Sequence, residues 1–238
     1  MKLSIIIPAL NEAAGIAAVL APLQAWRGPL CEVIVVDGGS SDATAALAQP
    51  LADRVISAAR GRAPQMNAGA QAASGGALLF LHADTILPET APTAILVALG
   101  LAGPLTPTVL SHRAISKKSW GRFDVAISGN SRMLGVIAWC MNRRSRLTSI
   151  ATGDQALFMT RAAFDAARGF PDQPLMEDIE MSRRLKRLGA PACLPDRVTT
   201  SGRRWEQRGV WRTIWRMWRL RLAYFLGASP EYLAARYR

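Results

Sequence analysis

Cysteine is scarce in this sequence of 238 residues: Cys31, Cys140 and Cys193 stand far apart. Three scattered thiols build neither a disulfide framework nor a metal knot, and they read as reduced cysteines of a cytoplasmic protein. Acidic residues are also few. Against 29 Lys and Arg there are 17 Asp and Glu, and the net charge of +12 calls for an anionic partner: nucleic acid, an anionic membrane surface or a phosphorylated ligand. No recognisable nucleic-acid-binding module accompanies that charge, so nucleic acid is not expected. Two nucleotide signatures are missing as well. No Gly-x-Gly-x-x-Gly follows the first apolar segment, which argues against a Rossmann dinucleotide site, and no Gly-x-x-x-x-Gly-Lys-Ser/Thr marks a P-loop. Long apolar runs are lacking too. Met1 to Pro8 is too short for a secretory h-region and reads as a first strand. The stretch from Thr90 to His112 carries no formal charge when His112 is neutral, but Pro92, Pro104 and Pro107 suit a helix followed by a turn better than a membrane span. Internal repeats and low-complexity linkers are absent.

Half of the residues are hydrophobic, enough to bury a core in one large domain or a domain with an appendage. Leu3–Ile7 is a β-branched strand stopped by Pro8, Ala13–Trp26 has the spacing of a helix, and Glu32–Val36 is a second strand. Asp37-Gly38-Gly39-Ser40-Ser41-Asp42 makes a polar turn before a helix over Ala43–Ala48. A short strand over Asp53–Ser57, a basic loop from Arg60 to Gln65 and an Ala-rich helix over Met66–Ala73 follow. The run Ala77-Leu78-Leu79-Phe80-Leu81 then reads as a strand buried on both faces, ending in His82-Ala83-Asp84. The order β-α-β-α-β-α-β predicts a doubly wound, mostly parallel α/β sheet over the first ninety or so residues. Ligands of such sheets bind at the carboxyl ends of the strands. Asp37, Arg60, Arg62, His82 and Asp84 therefore converge on one crevice, and carboxylates with guanidiniums suit a metal-bridged phosphate or diphosphate.

Further along, Trp120-Gly121-Arg122-Phe123-Asp124 is an aromatic and basic cluster in a loop or edge strand, with Trp120 a candidate ligand contact. Leu134–Met141 reads as an amphipathic helix. Thr152-Gly153-Asp154-Gln155 precedes a strand over Ala156–Met159, with Asp154 in the turn before it. Glu177 and Asp178 open a helix that runs to Leu188 and ends at Gly189. On the residues alone, carboxylates in a first helical turn are accounted for by the helix dipole.

The series Ser4-Ile-Ile-Ile-Pro-Ala-Leu-Asn-Glu12, Val33-Ile-Val-Val-Asp-Gly-Gly-Ser-Ser-Asp-Ala-Thr44, Asn67-Ala-Gly69 and Leu79-Phe-Leu-His-Ala-Asp84 resembles family 2 glycosyltransferases of the GT-A fold. Gly153-Asp-Gln-Ala-Leu-Phe-Met159 and Gly169-Phe-Pro-Asp-Gln-Pro-Leu-Met-Glu-Asp178 continue the match, which covers about residues 2–205. The resemblance implies an inverting transfer of a sugar from a nucleotide-sugar donor to an acceptor hydroxyl, with a lipid-linked acceptor among the options. It implies a GT-A domain over 1–200, with a nucleotide-binding half (1–90) and an acceptor and catalytic half (91–200). Pro8, Asn11 and Glu12 would wrap the nucleotide, and Asp37 would read its base. Asp84 matches the second aspartate of the Asp-x-Asp metal motif and would hold Mn²⁺ or Mg²⁺. His82 stands where the first aspartate is usual; a neutral imidazole ligates Mn²⁺ or contacts ribose but brings no charge. Asp178 would be the general base, with Glu177 beside it. Trp120, Asp154, Arg204 and Trp205 would contact the sugar or the acceptor, and Arg204-Trp205 resembles the end of the Gln-x-x-Arg-Trp motif of processive members, without the glutamine.

The tail, 201–238, holds nine Arg and two Glu, a net +7. Arg208, Arg212, Arg216 and Arg219 fall on one helical stripe, and Trp211, Ile214, Trp215, Trp218, Leu222 and Phe225 fill much of the remaining circumference. Such a helix lies in an anionic bilayer interface, which predicts a protein peripheral to the inner face of the cell membrane. Docking on the catalytic domain or on the second copy of a homodimer is the alternative. Two other classes remain beside the glycosyltransferase: a nucleotidyltransferase on a similar core, and a catalytically inactive nucleotide-binding relative at the membrane.

Overall fold

The computed structural model describes residues 1–102 and 117–237. Among them are strands β1 (Leu3–Ala9), β2 (Cys31–Asp37), β3 (Arg54–Ser57), β4 (Ala77–Phe80), β5 (Thr85–Ile86), β6 (Trp120–Ser128), β7 (Leu157–Thr160) and β8 (Ala192–Ser201). The helices are α1 (Ile16–Leu20), α2 (Thr44–Ala48), α3 (Arg62–Ala72), α4 (Ala91–Ala98), α5 (Met133–Thr148), α6 (Arg161–Ala166), α7 (Glu177–Lys186), α8 (Arg203–Arg208), α9 (Val210–Phe225) and α10 (Pro230–Tyr237). The strands form one sheet in the order β3-β2-β1-β4-β7-β6-β8-β5. The first four in that order run parallel, as the alternating pattern predicts; β7 then pairs antiparallel with β4 and ties the second half of the chain into the same sheet.

Continuous apolar runs form the central strands because both faces are covered. Ile5, Ile7, Val33, Val35 and Leu79 point into one cluster with α1 and α4, while Ile6, Ile34, Val36, Leu78 and Phe80 point into another with α3, α6 and α7. The period-two alternation of strand side chains thus feeds two cores. Helix α3 comes close to the sheet because it carries Gly69: a Cβ there would overlap the side chains of Ile6 and Val36. Asn67 clamps the loop before α7, donating to the Phe170 carbonyl and accepting from its N–H, both at 2.9 Å.

Several expectations need correction. The predicted helix over 13–26 is two short pieces, α1 and a 3₁₀ helix over Pro22–Trp26, because Pro22 offers no N–H to continue α1. Arg62 opens α3 instead of lying in a loop. The predicted helix after Thr90 is present as α4, whereas Pro104, Pro107 and His112 lie outside the described residues. Trp120 is no crevice contact: it is fully buried in β6, an interior strand, and its indole N–H donates to the Gly189 carbonyl at 2.8 Å. Arg122 beside it is buried as well, held by Asp124 and by the Asn142 carbonyl. The tail is not one helix. Gly209, with φ +82°, separates α8 from α9, so Arg208 is off the stripe that Arg212, Arg216 and Arg219 share. Among the described residues no helix is long and apolar enough to cross a membrane.

Candidate active site

The loops after β1 and β2 are sewn together by side chains. Asn11, in the left-handed region at φ 54°, donates its N–H to Ser40 Oγ at 2.9 Å, and its Oδ1 accepts the Ser41 N–H at 2.9 Å. The Glu12 N–H donates to Thr44 Oγ1 at 2.8 Å and the Ala13 N–H to Asp42 Oδ2 at 3.1 Å. Asp37, at the end of β2, accepts the N–H groups of Gly39 and Ser40 on Oδ2 at 3.1 and 3.0 Å, while its Oδ1 is buried without a partner. An unpartnered buried oxygen is costly unless a ligand donates to it. Gln65, which sequence reasoning missed, closes the seam from α3 by donating to the carbonyls of Ala9 and Val36 at 2.8 and 2.7 Å.

These loops form one wall of a crevice of about 500 Å³. Of the residues predicted from sequence, Pro8, Glu12, Arg60, Arg62, His82, Asp84, Asp154, Arg204 and Trp205 all line it. Asn11 and Asp37 stand behind the wall. Gln65, Thr200, Ser201, Arg203, Gln207 and Arg208 also line it, and no local pattern marks them. Most of these come from the end of β8 and from α8, and Arg203 reaches across to Glu12 at 3.3 Å.

His82 and Asp154 meet in the crevice, while Glu177 and Asp178 do not line it and are joined to it through the Gly153 turn. His82 Nδ1 lies 3.1 Å from Asp154 Oδ1, and the ring packs over Gly153. Partial burial works against the Asp154 carboxylate, but the His82 hydrogen bond and the charges of His82, Arg62 and Arg204 outweigh it and hold its pKa below the usual range. The Gly153 N–H donates to Asp178 Oδ2 at 2.9 Å, and the Ile179 N–H donates to Asp178 Oδ1 at 2.7 Å. Asp178 is therefore fixed at the amino end of α7, joined to the turn that bears Asp154. Glu177 beside it is buried; burial and the neighbouring Asp178 push its pKa up, against the pull of Arg62, whose Nη1 stands 3.8 Å from Glu177 Oε1. Gly153 is the hinge of the group, because a Cβ on it would overlap the His82 ring. Gly153→Ala is expected to displace His82 from Asp154 and to destabilise the fold by about 1–3 kcal/mol through overpacking, read by thermal denaturation. An unchanged melting point would mean the ring has room to move.

Among the described residues no group of three or more His, Cys, Asp or Glu is arranged to hold a metal ion. Asp84 has the freest carboxylate of the crevice, accepting among the described residues only the Thr85 hydroxyl at 3.4 Å. His82 is committed to Asp154 through Nδ1. One carboxylate completed by phosphate oxygens and water is the donor set that suits Mg²⁺, which is seldom caged by protein alone. The residues thus fit a divalent ion that arrives with a phosphate-bearing ligand.

Residues 4–99 match the family model Glycosyl transferase family 2. None of the curated proteins matches the chain. Among solved structures, TarS from S. aureus is similar at 16% identity and a TM-score of 0.62, covering 85% of this chain and 61% of that one. A mannosyltransferase from Pyrobaculum calidifontis, in complex with GDP-Man and Mn²⁺, is similar at 21% identity and a TM-score of 0.63, over 97% of this chain and 66% of that one. Glucosyl-3-phosphoglycerate synthase from Mycobacterium tuberculosis, with Mn²⁺, UDP and glucosyl-3-phosphoglycerate, is similar at 21% identity and a TM-score of 0.57, over 84% and 70%. The chain spans about three fifths of the length of the TarS structure. The family resemblance read from the residues is borne out over 4–99, and the GT-A-like mixed α/β fold is borne out by these structures.

Proposed function

We propose that this chain, whose residues 4–99 match glycosyl transferase family 2, is an inverting glycosyltransferase that moves a sugar from a nucleotide-sugar donor to an acceptor hydroxyl. The observation that carries the reading is the convergence of Arg60, Arg62, Asp84 and Asp154 on one crevice, with Asp178 tied through Gly153 to the turn that bears Asp154. Arg60 and Arg62 offer charge to a diphosphate, and Asp37, whose buried Oδ1 has no partner among the described residues, would read the nucleotide base by accepting one of its N–H groups. Asp84 would hold a divalent ion, Mn²⁺ or Mg²⁺, that neutralises the departing diphosphate. Asp178 accepts the acceptor's hydroxyl proton as that oxygen bonds to the anomeric carbon and the bond to the diphosphate breaks on the opposite face. A carboxylate is a weak base at neutral pH. Much of the rate must therefore come from positioning, which the two backbone amides on Asp178 supply.

The same reading covers residues 1–200 as a donor half and an acceptor half, and it takes the tail to a cytoplasmic membrane surface. On α9, Trp211, Trp215 and Trp218 are 71%, 67% and 73% exposed, and Leu222 and Phe225 continue their stripe. An aromatic face left in water at that spacing suits the headgroup boundary of a bilayer. The arginines take a different place from the one the sequence suggests: Arg212, Arg216 and Arg219 line a groove against α10. The aromatic stripe, and not the arginine stripe, would meet lipid.

The test is a thermal-shift panel of nucleoside diphosphates and nucleotide sugars, with and without Mn²⁺, on the wild type and Asp84→Ala. One nucleotide is expected to stabilise the wild type in a metal-dependent way, by about 3 kcal/mol at a hundredfold excess over Kd, and the variant is expected to lose the metal-dependent share. A panel in which nothing shifts the wild type would overturn the donor site.

A further inference from the structure

Two arginines whose charges act on the proposed base have guanidinium nitrogens with no partner among the described residues. Arg144 projects from α5 and Arg221 from α9. The Nε and Nη2 of Arg144 and the Nε of Arg221 are shielded from water and have no hydrogen-bond partner, and among the described residues neither side chain has an ion pair. Arg122 also has an Nε without a partner, but Asp124 and the Asn142 carbonyl hold the rest of its head. Arg161 donates to the carbonyls of Gly75, Ala70 and Ala73 at 3.1, 3.1 and 2.7 Å.

The packing brings the two helices that carry them to the segments around Asp178. The Ser145 hydroxyl, next to Arg144, accepts from Gln155 Nε2 at 3.0 Å, which seats α5 on the turn bearing Gly153 and Asp154. Leu220, next to Arg221, packs against Ile150, Met176 and Ile179, which flank Glu177 and Asp178. Burial and then the charge of Arg221 lower the Arg144 pKa to about 10. Burial likewise lowers that of Arg221, and Asp178 acts on both from beyond contact range. Two like charges with idle N–H groups in a shielded place are unfavourable as they stand. A tetrahedral anion with several oxygens would satisfy both at once, because guanidinium forks match phosphate geometry.

We propose that Arg144 and Arg221 form a phosphate-binding subsite for the acceptor, so that the acceptor is a phosphate-bearing molecule whose hydroxyl lies at Asp178. This rests on the reading of Asp178 as the base. The phosphate belongs either to a soluble phosphomonoester or to a lipid headgroup reaching up from a surface under α9.

The experiment loads the full chain with its nucleoside diphosphate and Mg²⁺, which fills the donor's own phosphate sites, and then titrates inorganic phosphate by calorimetry. Phosphate is expected to bind the loaded wild type, and Arg144→Gln and Arg221→Gln are each expected to weaken it by about tenfold or more. Both variants should bind nucleotide as the wild type does and melt no lower, since each removes an unpaired guanidinium. Phosphatidylcholine vesicles with and without hexadecyl phosphate separate the sources. Arginine-dependent retention on the doped vesicles assigns a lipid headgroup; binding of free phosphate with no added retention assigns a soluble acceptor. Equal phosphate binding by wild type and variants overturns the subsite, as does a wild type that takes up neither free phosphate nor doped vesicles. Loss of nucleotide binding together with phosphate binding overturns it too, because the arginines would then be holding the fold of the site. A chain that binds no nucleotide fails the donor reading instead, and phosphate titration of the unloaded protein still decides the subsite.

Discussion

Asp178→Asn is expected to slow sugar transfer by about 10²–10⁴-fold, the range that a positioned general base supplies, while nucleotide binding stays near that of the wild type. The separation follows from where Asp178 sits. It opens α7 beside Glu177 and touches the crevice only through the Gly153 turn, so the nucleotide loops do not depend on it. Each of its oxygens already accepts one backbone N–H, from Gly153 and from Ile179, and each keeps a lone pair for a proton. In the asparagine variant one of those N–H groups must face an NH₂, and the loss of that hydrogen bond costs about 1 kcal/mol. A modest fall in melting temperature is therefore expected with the large fall in kcat. Measuring both, with the Kd of the nucleoside diphosphate, distinguishes the roles. Catalysis that survives in Asp178→Asn would move the base to another group, and Glu177, whose pKa burial pushes up, would be the first alternative.

The donor half of this site is legible in the sequence because its parts are local. Each parallel strand is a short apolar run, each ends in its own polar loop, and strand polarity alone brings Asp37, Arg62, His82 and Asp84 to one edge. The other half is not legible, because it is assembled by contacts between distant segments. Arg203 meets Glu12 only because β8 runs beside β6 and β5 and delivers α8 over the crevice. Arg144 and Arg221 carry no local signature; their neighbourhood exists only once α5 is seated on the turn at Gln155 and α9 packs against Met176 and Ile179. Trp120 shows the opposite error. An aromatic residue near arginine in sequence reads as a binding surface, but Asp124 and Asn142 neutralise Arg122 inside the sheet, and the tryptophan goes to the core with it. In the tail, periodicity correctly gives an aromatic face, and a single glycine with positive φ decides which arginines share that helix.

The largest effect on stability is expected from Glu32, at the opposite end of the strands from the crevice. Its side chain is buried, yet Oε1 accepts Ser4 Oγ at 2.6 Å and the N–H and hydroxyl of Ser74 at 2.6 and 2.9 Å, while Oε2 faces Lys2 at 3.2 Å. One carboxylate thus ties β1, β2 and the turn before β4. Burial alone would raise its pKa, but the hydrogen bonds from Ser4, Ser74 and Lys2 outweigh that and pull it from 4.5 to about 2. A depressed pKa means the folded state favours the ionised form. Its contribution is therefore complete above pH 4.5 and is lost as pH falls towards 2, amounting to about 3 kcal/mol in all. Glu32→Gln removes the charge and sets an NH₂ against the Lys2 ammonium, or against Ser74, so it should lose most of that amount at pH 7. Other carboxylates also titrate in this range, and subtracting the variant's denaturant curve from the wild type's at each pH isolates Glu32. The difference should be largest at neutral pH and shrink towards zero as pH falls below 2, where Glu32 becomes uncharged in the folded state as well. A difference that stays flat across that window would show that Ser4 and Ser74 bind the acid and the carboxylate equally well. Since Glu32 lies away from the crevice, nucleotide binding by the folded variant should match the wild type, which makes it the natural control for Asp84 and Asp178.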